Sequence, residues 1–352
     1  MDGTFTPDIN APFAHLRPAA NRILEIQTSD GAIPWFEDGA WDPWNHVESA
    51  MALTVMGEID AAAAAFDFLQ RSQRPDGAWY GEYANTLPMI DLHFISRERA
   101  PAFLDSNFCA YPAVGVAHYY LATEDLARVR GWWPMVRAAL DFVISLQRSD
   151  GSILWSIEAL GTAEEDALLA GNASIAKSLE CGLYLASLMD ADLPTWRAAH
   201  DKLLHALKNT PELFDRRGTG KRFAMDWYYP VLSGALSPTD AKQRLEAGWD
   251  RFVVEAFGCR CVSDEPWITV AETGELILAL IAAGKNELAH QAFETIQSIA
   301  DDNGVFWMGW QTEEKIFWPQ ERPAWTQAAI ILAADALENE TGACRLLTHG
   351  LL

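Results

Sequence analysis

The chain has 352 residues, half of them hydrophobic, and a formal charge of -23. That much apolar material can bury a sizeable core, and the acid excess excludes nucleic acid and anionic membrane surfaces as partners by repulsion. No apolar run approaches the roughly 20 residues that cross a bilayer, and the first residues, MDGTFTPDINAPFAHLRP, lack the basic start and apolar core of an export signal. Five unpatterned cysteines read as reduced thiols, so the expected location is the cytoplasm.

A phrase recurs along the chain: a glutamine, then Asp-Gly or Asn-Gly, then a tryptophan. It reads QTSDGAIPW at 27–35, QRPDGAWY at 73–80, QRSDGSILW at 147–155 and, more loosely, QSIADDNGVFW at 297–307. Each copy closes an alanine- and leucine-rich stretch with helical spacing, and strand-like alternation is almost absent. First helices are predicted over 14–27, 58–73, 126–147, 195–208, 239–255 and 285–299. Second, more apolar helices are predicted over 43–56, 106–122, 172–189, 226–236, 267–284 and 323–338. Asp42-Pro43, Asp105-Ser106, Pro266-Trp267 and Arg322-Pro323 supply caps or a first-turn proline.

Six hairpins that cannot each bury their own apolar face predict one all-α domain spanning 1–352, a closed (α/α)6 toroid with the second helices inside. The long loops all run from outer to inner helix, so they gather at one end of the ring with six inner-helix N-termini. Candidate chemistry belongs there.

In chain order, WFEDGAWDPWNHVESAM at 35–51 offers Asp42, His46 and Glu48 as acid, base or ligand, with Trp41 and Trp44 as walls. Asp42 serves equally well as a helix cap. The second inner helix offers Asp105, itself a cap by position, with Asn107 and Tyr111 beside it and His118 as a core histidine. On the third, Lys177 and Glu180 stand three apart, the spacing of an ion pair. On the fourth, Asp226 sits among Trp227, Tyr228 and Tyr229, where desolvation suits a general acid. On the fifth, Glu265 and Trp267 precede Glu272, a catalytic candidate, with Glu275 secondary to it. The loop at 302–325 brings Trp310 and Trp325 with Trp307 and Trp318, enough indole to cover a ligand.

No metal site is expected. Asp105, Cys109 and His118 do not share a helix face, and Cys259-Arg260-Cys261 lacks a second ligand pair. The acidic loops leave a divalent cation such as Mg open, without a motif for it.

The repeated phrase resembles the QW-type repeats of the squalene-hopene cyclase and prenyltransferase superfamily of α/α toroids. DPWNHVESAM, DSNFCAY, MDWYYP, CVSDEPW and AWTQAAIILAADAL look like bacterial proteins labelled prenyltransferase-like. The resemblance implies that Gln27, Trp35, Gln73, Trp79, Gln147, Trp155 and Trp307 are structural, and that the ring encloses a central cavity. The superfamily's DxDD, DDxxD and Asp-x-Cys motifs are missing from this chain.

The expected function is therefore acid-initiated terpenoid or prenyltransferase-like chemistry on an isoprenoid, with aromatic rings steadying a carbocation. The alternative is a carbohydrate-active α/α barrel, a glycoside hydrolase, lyase or epimerase, in which a carboxylate pair flanks a sugar bond. A non-catalytic binding toroid is the third reading.

Overall fold

The computed structural model describes residues 13–84, 87–88, 102–158, 165–216 and 222–352; the first twelve residues, read above for an export signal, lie outside them. Helical apolar spacing produces six hairpins in chain order. These are α1 (Arg17–Ile26) with α2 (Pro43–Val55), and α3 (Ile59–Ser72) with α4 (Ser106–Ala110) continuing as α5 (Pro112–Thr123). Then come α6 (Leu126–Ser145) with α7 (Leu169–Leu188), α8 (Pro194–Asn209) with α9 (Ala224–Leu232), α10 (Pro238–Phe252) with α11 (Val270–Ala282), and α12 (Asn286–Ile296) with α13 (Ala324–Glu338). The second helices pack side by side in the order α2, α5, α7, α9, α11, α13, and α13 returns to α2. The ring is closed and the fold is an all-α toroid.

Two elements differ from expectation. The second inner helix divides at Tyr111, because Pro112 opens α5 without an N–H to give its predecessor. Residues Trp267–Thr269 form a strand ahead of α11, paired with Gly309–Gln311, which pairs in turn with Ile316–Phe317. Similar short ladders join Ala40–Trp41 to Tyr83–Ala84 and Phe103–Asp105 to Ser156–Glu158. They stitch the outer-to-inner loops of neighbouring hairpins into a collar around one end.

Three of the four phrase glutamines fasten hairpin to hairpin, while Gln297 Nε2 has no hydrogen-bond partner among the described residues. Gln27 Nε2 donates to Gly31 O at 3.3 Å and to Ala61 O of α3 at 2.9 Å. Gln73 Nε2 makes the same pair with Gly77 O and Met135 O of α6, and Gln147 Nε2 with Gly151 O and Ala199 O of α8. One amide thus holds its own loop and the next outer helix.

Each loop is also gripped from the inside. The N–H two residues past the phrase glycine donates to a buried inner-helix side chain: Ile33 to His46 Nδ1 at 3.0 Å, Trp79 to Cys109 Sγ at 3.3 Å, Ile153 to Asn172 Oδ1 at 2.8 Å and Phe306 to Gln327 Oε1 at 2.9 Å. The intervening loops span 13, 30, 19 and 21 residues, so loop length varies while the grip does not. His46, expected as an acid or base, is such a grip. Its Nδ1 accepts, so Nε2 carries the proton and donates to Ala65 O at 2.9 Å. Burial pushes its pKa down to about 4, which keeps the ring neutral and structural.

The opposite end of the ring is plugged by the chain's last residues. Lys177 and Glu180, paired at 2.5 Å as their spacing predicts, reach down to His349 O and Leu351 N respectively, at 3.1 Å and 2.7 Å. No helix among the described residues is long and apolar enough to cross a membrane.

Candidate active site at the open end of the ring

Because every inner helix enters the ring at the collar and descends toward the plug, residues one turn apart form stacked tiers facing the axis. The floor tier is Glu48, Tyr111, Ser174, Tyr229, Glu275 and Ala329, one residue from each inner helix, lining a cavity of about 20 Å3. That is room for little more than a water molecule.

The floor carboxyls are neighbours. Tyr111 Oη donates to Glu48 Oε1 at 3.1 Å, while Tyr229 Oη donates to Glu275 Oε1 at 2.7 Å and Tyr228 Oη to its other oxygen. Burial first, then the charge of Glu275, pushes the Glu48 pKa well above the usual carboxylate range. Burial also pushes Glu275 up, to about 7, against the pull of its two phenol donors. Of the pair, Glu275 is the better carboxylate and Glu48 the one that keeps its proton.

One turn nearer the mouth, three residues before their floor counterparts, stand Asp226 on α9 and Glu272 on α11. These helices are adjacent in the inner ring. Asp226 is nearly buried and accepts Ala170 N–H at 3.3 Å; burial, then the charge of Asp215, lifts its pKa to about 7. Glu272 is only partly buried, and the Thr269 hydroxyl donates to its Oε2. Elsewhere on the inner helices, buried polar atoms have no hydrogen-bond partner among the described residues: Asn107 Oδ1, Thr326 Oγ1 and, on the floor, Ser174 Oγ. Trp44 stacks on Tyr111 at 4.0 Å between centroids, and Trp325 packs edge-on against Trp35 and Phe36.

The other sequence candidates have structural employment. Asp105 caps α4 through Asn107 N–H and Phe108 N–H, and its second oxygen accepts Trp155 Nε1–H at 2.8 Å. Burial lifts its pKa to about 6. Both oxygens are occupied, which makes it a cap and a clamp for the next loop rather than a free catalyst. Asp42 does the same for α2, holding Asn45 N–H and Trp35 Nε1–H. Trp41 is buried face to face with Tyr83 at 4.3 Å and is no cavity wall. Trp227 is buried against Phe252 and donates to Arg244 O. Trp267 donates to Trp318 O and, with Trp310, belongs to the collar sheet, while Glu265 is exposed on the loop leading into it. His118 is buried, as expected of a core histidine, and its Nδ1 has no hydrogen-bond partner among the described residues.

Glu82 escaped the sequence reading. It is half-buried near Asp42, with a pKa lifted to about 7 by burial and then by Asp42. A signal existed: a glutamate follows the phrase tryptophan within three residues at Glu37, Glu82 and Glu158.

These shifts set the pH dependence of stability. Asp105, Asp226 and Glu275 have folded pKa values above their unfolded ones, so the fold holds protons that the unfolded chain has released, and stability falls as pH rises through about 4 to 7. His46 and His118, with pKa values pushed down to about 4 and about 3, remain neutral while the unfolded chain takes protons below about 6.5, so stability is lost again toward acid. The urea midpoint is expected to be higher at pH 6.5 than at pH 8 and to stop gaining below that. A midpoint that climbs steadily to pH 8 would contradict the burial of these carboxyls.

No protein-family model matches the chain. The MMP endo-(1,4)-3-O-methyl-alpha-D-mannosidase of Mycolicibacterium hassiacum is 44% identical to it over 341 residues, 97% of this chain and 89% of that protein. Among solved structures, a glycosidase matches with a TM-score of 0.69 at 14% identity, over 92% of this chain and 96% of that one. The GH63 mannosylglycerate hydrolase of Thermus thermophilus in complex with glucose matches with a TM-score of 0.65 at 13% identity, over 91% and 99%. At such identities the solved structures speak for the fold alone.

The relative overturns the cyclase and prenyltransferase-like resemblance, and with it the terpenoid chemistry and isoprenoid substrate. The repeated phrase is a fastening between hairpins, so its presence says how a toroid is held together and nothing about what the toroid transforms. The carbohydrate-active alternative is the reading that the relative supports.

Proposed function

The chain belongs to the endo-mannosidase family of its Mycolicibacterium hassiacum relative, and we propose that it is a glycoside hydrolase cutting internal α-(1,4) bonds in a chain of 3-O-methylated mannose. The toroid, residues 1–352, acts as one domain in this reading. What supports it on the molecule is a pair of carboxyls one turn from the mouth on adjacent inner helices, together with Asn107 Oδ1, Thr326 Oγ1 and Ser174 Oγ, inner-helix atoms unpartnered among the described residues. A hydrocarbon would leave those atoms unsatisfied in a dry site, at about 1–3 kcal/mol each. Sugar hydroxyls would satisfy them.

The two carboxyls divide the work. Asp226, lifted to about 7, keeps a proton at neutral pH and delivers it to the glycosidic oxygen as the C1–O bond breaks. Glu272, open to solvent on one side, takes a proton from the water whose oxygen forms the new bond to C1. In this reading the water sits between the two carboxyls, the inverting arrangement. Trp44 and Trp325 offer faces on which sugar rings stack. Glu48, protonated, donates upward from the floor, and Glu275 accepts.

The test is to offer the purified protein α-(1,4)-linked oligosaccharides of 3-O-methylmannose, unmethylated counterparts and prenyl diphosphates, reading products by mass spectrometry and the first-formed anomer by proton NMR. Shortened methylmannose chains with a β-anomer are expected. Failure to shorten any oligosaccharide would sink the reading, and an α-anomer would sink the inverting geometry alone.

A further inference from the structure

The glutamine tie does not run all the way round the ring: the loops after α8 and α10, residues 210–223 and 253–266, contain no glutamine, and Gln297 Nε2 has no hydrogen-bond partner among the described residues. At the first of these gaps lies an open groove of about 1220 Å3, running along α10 to the start of α9. Its floor is aromatic: Phe214, Trp227 and Phe252 are buried there, with Trp227 stacked on Phe252 at 5.3 Å. Its rim is polar, with exposed Gln243 and Arg251, and Phe223 leaves 39% of its surface free. Asp226 lines the inner end. The groove therefore begins at the residue given the acid role above.

We propose that this groove binds the leaving-group side of the substrate, several sugar units of a neutral oligosaccharide extending outward from Asp226 between residues 211–215 and α10. Its volume exceeds the roughly 300–1,000 Å3 that suits a drug-sized ligand, so it takes a chain rather than a single ring. The exposed ring of Phe223 and the amide or guanidinium groups of the rim are surfaces that hold a pyranose by its apolar face and its hydroxyls.

The described lining disfavours an anionic ligand. Among the described residues, Glu212, Asp215 and Asp240 join Asp226 along the walls, against two arginines. Arg244 already gives its Nε and Nη2 to the carbonyls of Trp227 and Asp226, both at 2.7 Å, and Arg251 gives Nη2 to Ser263 Oγ. Arg244 is therefore not set to receive a carboxylate or phosphate. The aromatic floor also suits a sugar whose hydroxyl carries a methyl group.

The assignment of the leaving-group side rests on the hydrolase reading; the affinity of the groove for neutral oligosaccharide does not, and the two are separated by measuring binding as well as turnover. Ala247 is exposed on the groove wall, so Ala247→Trp fills the groove without removing a buried contact. Phe223→Ala removes the rim ring. Calorimetric titration with α-(1,4)-linked 3-O-methylmannose di- and hexasaccharides should show the wild type favouring the longer chain by about tenfold or more, equivalent to about 1.4 kcal/mol. Both variants should lose that advantage, and the ratio of kcat/KM for long over short substrate should collapse with it. If the protein hydrolyses nothing, the hydrolase reading fails while the titration still reports on the groove. The groove proposal is overturned if Ala247→Trp binds the hexasaccharide as the wild type does, or if a carboxylate-terminated hexasaccharide binds as tightly as the neutral one.

Discussion

Glu272→Gln should lower kcat on a methylmannose oligosaccharide by on the order of 10³-fold, within the range for removing a general base, while the urea midpoint barely moves. Glu272 is partly exposed and its neighbour Thr269 keeps its own backbone partners, so an amide of the same shape fits. What the amide lacks is the capacity to take a proton from water. Asp226→Asn should cost a similar factor on the natural substrate, with a different signature. A group lifted to about 7 by burial must be protonated to act as an acid, so kcat of the wild type should fall as pH rises through about 7, and Asp226→Asn should lose that limb. A substrate with an aryl leaving group needs no proton, so it should rescue Asp226→Asn and leave Glu272→Gln inactive. Retention of more than about a tenth of wild-type activity by Glu272→Gln would shift the role to the floor carboxylate, Glu275, which the same assay tests through Glu275→Gln.

The architecture was written plainly in the sequence because all six hairpins carry apolar residues at helical spacing and four of them add a Gln-Gly-Trp corner. The closed ring with the second helices inside follows from them. The placing of Asp226 and Glu272 on inner helices was legible too, and a carboxyl on an otherwise apolar inner helix needs a reason to be there. Which carboxyls were free was not legible. Asp105 and Glu272 look alike in one dimension, and only the indole N–H of Trp155, fifty residues away, turns the first into a clamp. His46 misled for the same reason: its partners are backbone groups of another helix and another loop, and a helical period carries no trace of them. The chemistry was misread because the most conspicuous residues, the repeated ones, are those that hold the ring shut.

Gly77→Ala should cost about 3–4 kcal/mol, far more than its size suggests, and the reason lies in that fastening. Gly77 sits at φ +87°, where an L-residue is strained by about 1–2 kcal/mol. A Cβ there would stand 2.3 Å from Ala138 O on α6, so the loop must move off the helix. Moving it stretches the two bonds that Gln73 Nε2 makes at 2.8 Å and 2.9 Å, each worth about 1 kcal/mol. Gly284→Ala is the matching control: it shares a positive φ, +69°, but nothing lies within 4 Å of its added carbon, so only the dihedral strain of about 1–2 kcal/mol applies. Urea titrations of the two variants should therefore separate backbone strain from loss of the tie. If Gly77→Ala falls no further than Gly284→Ala, the glycine serves only its own turn and the loop is not fastened to α6. If it falls further and Gln73→Leu recovers part of the same loss in a double-mutant cycle, glycine and glutamine act as one device.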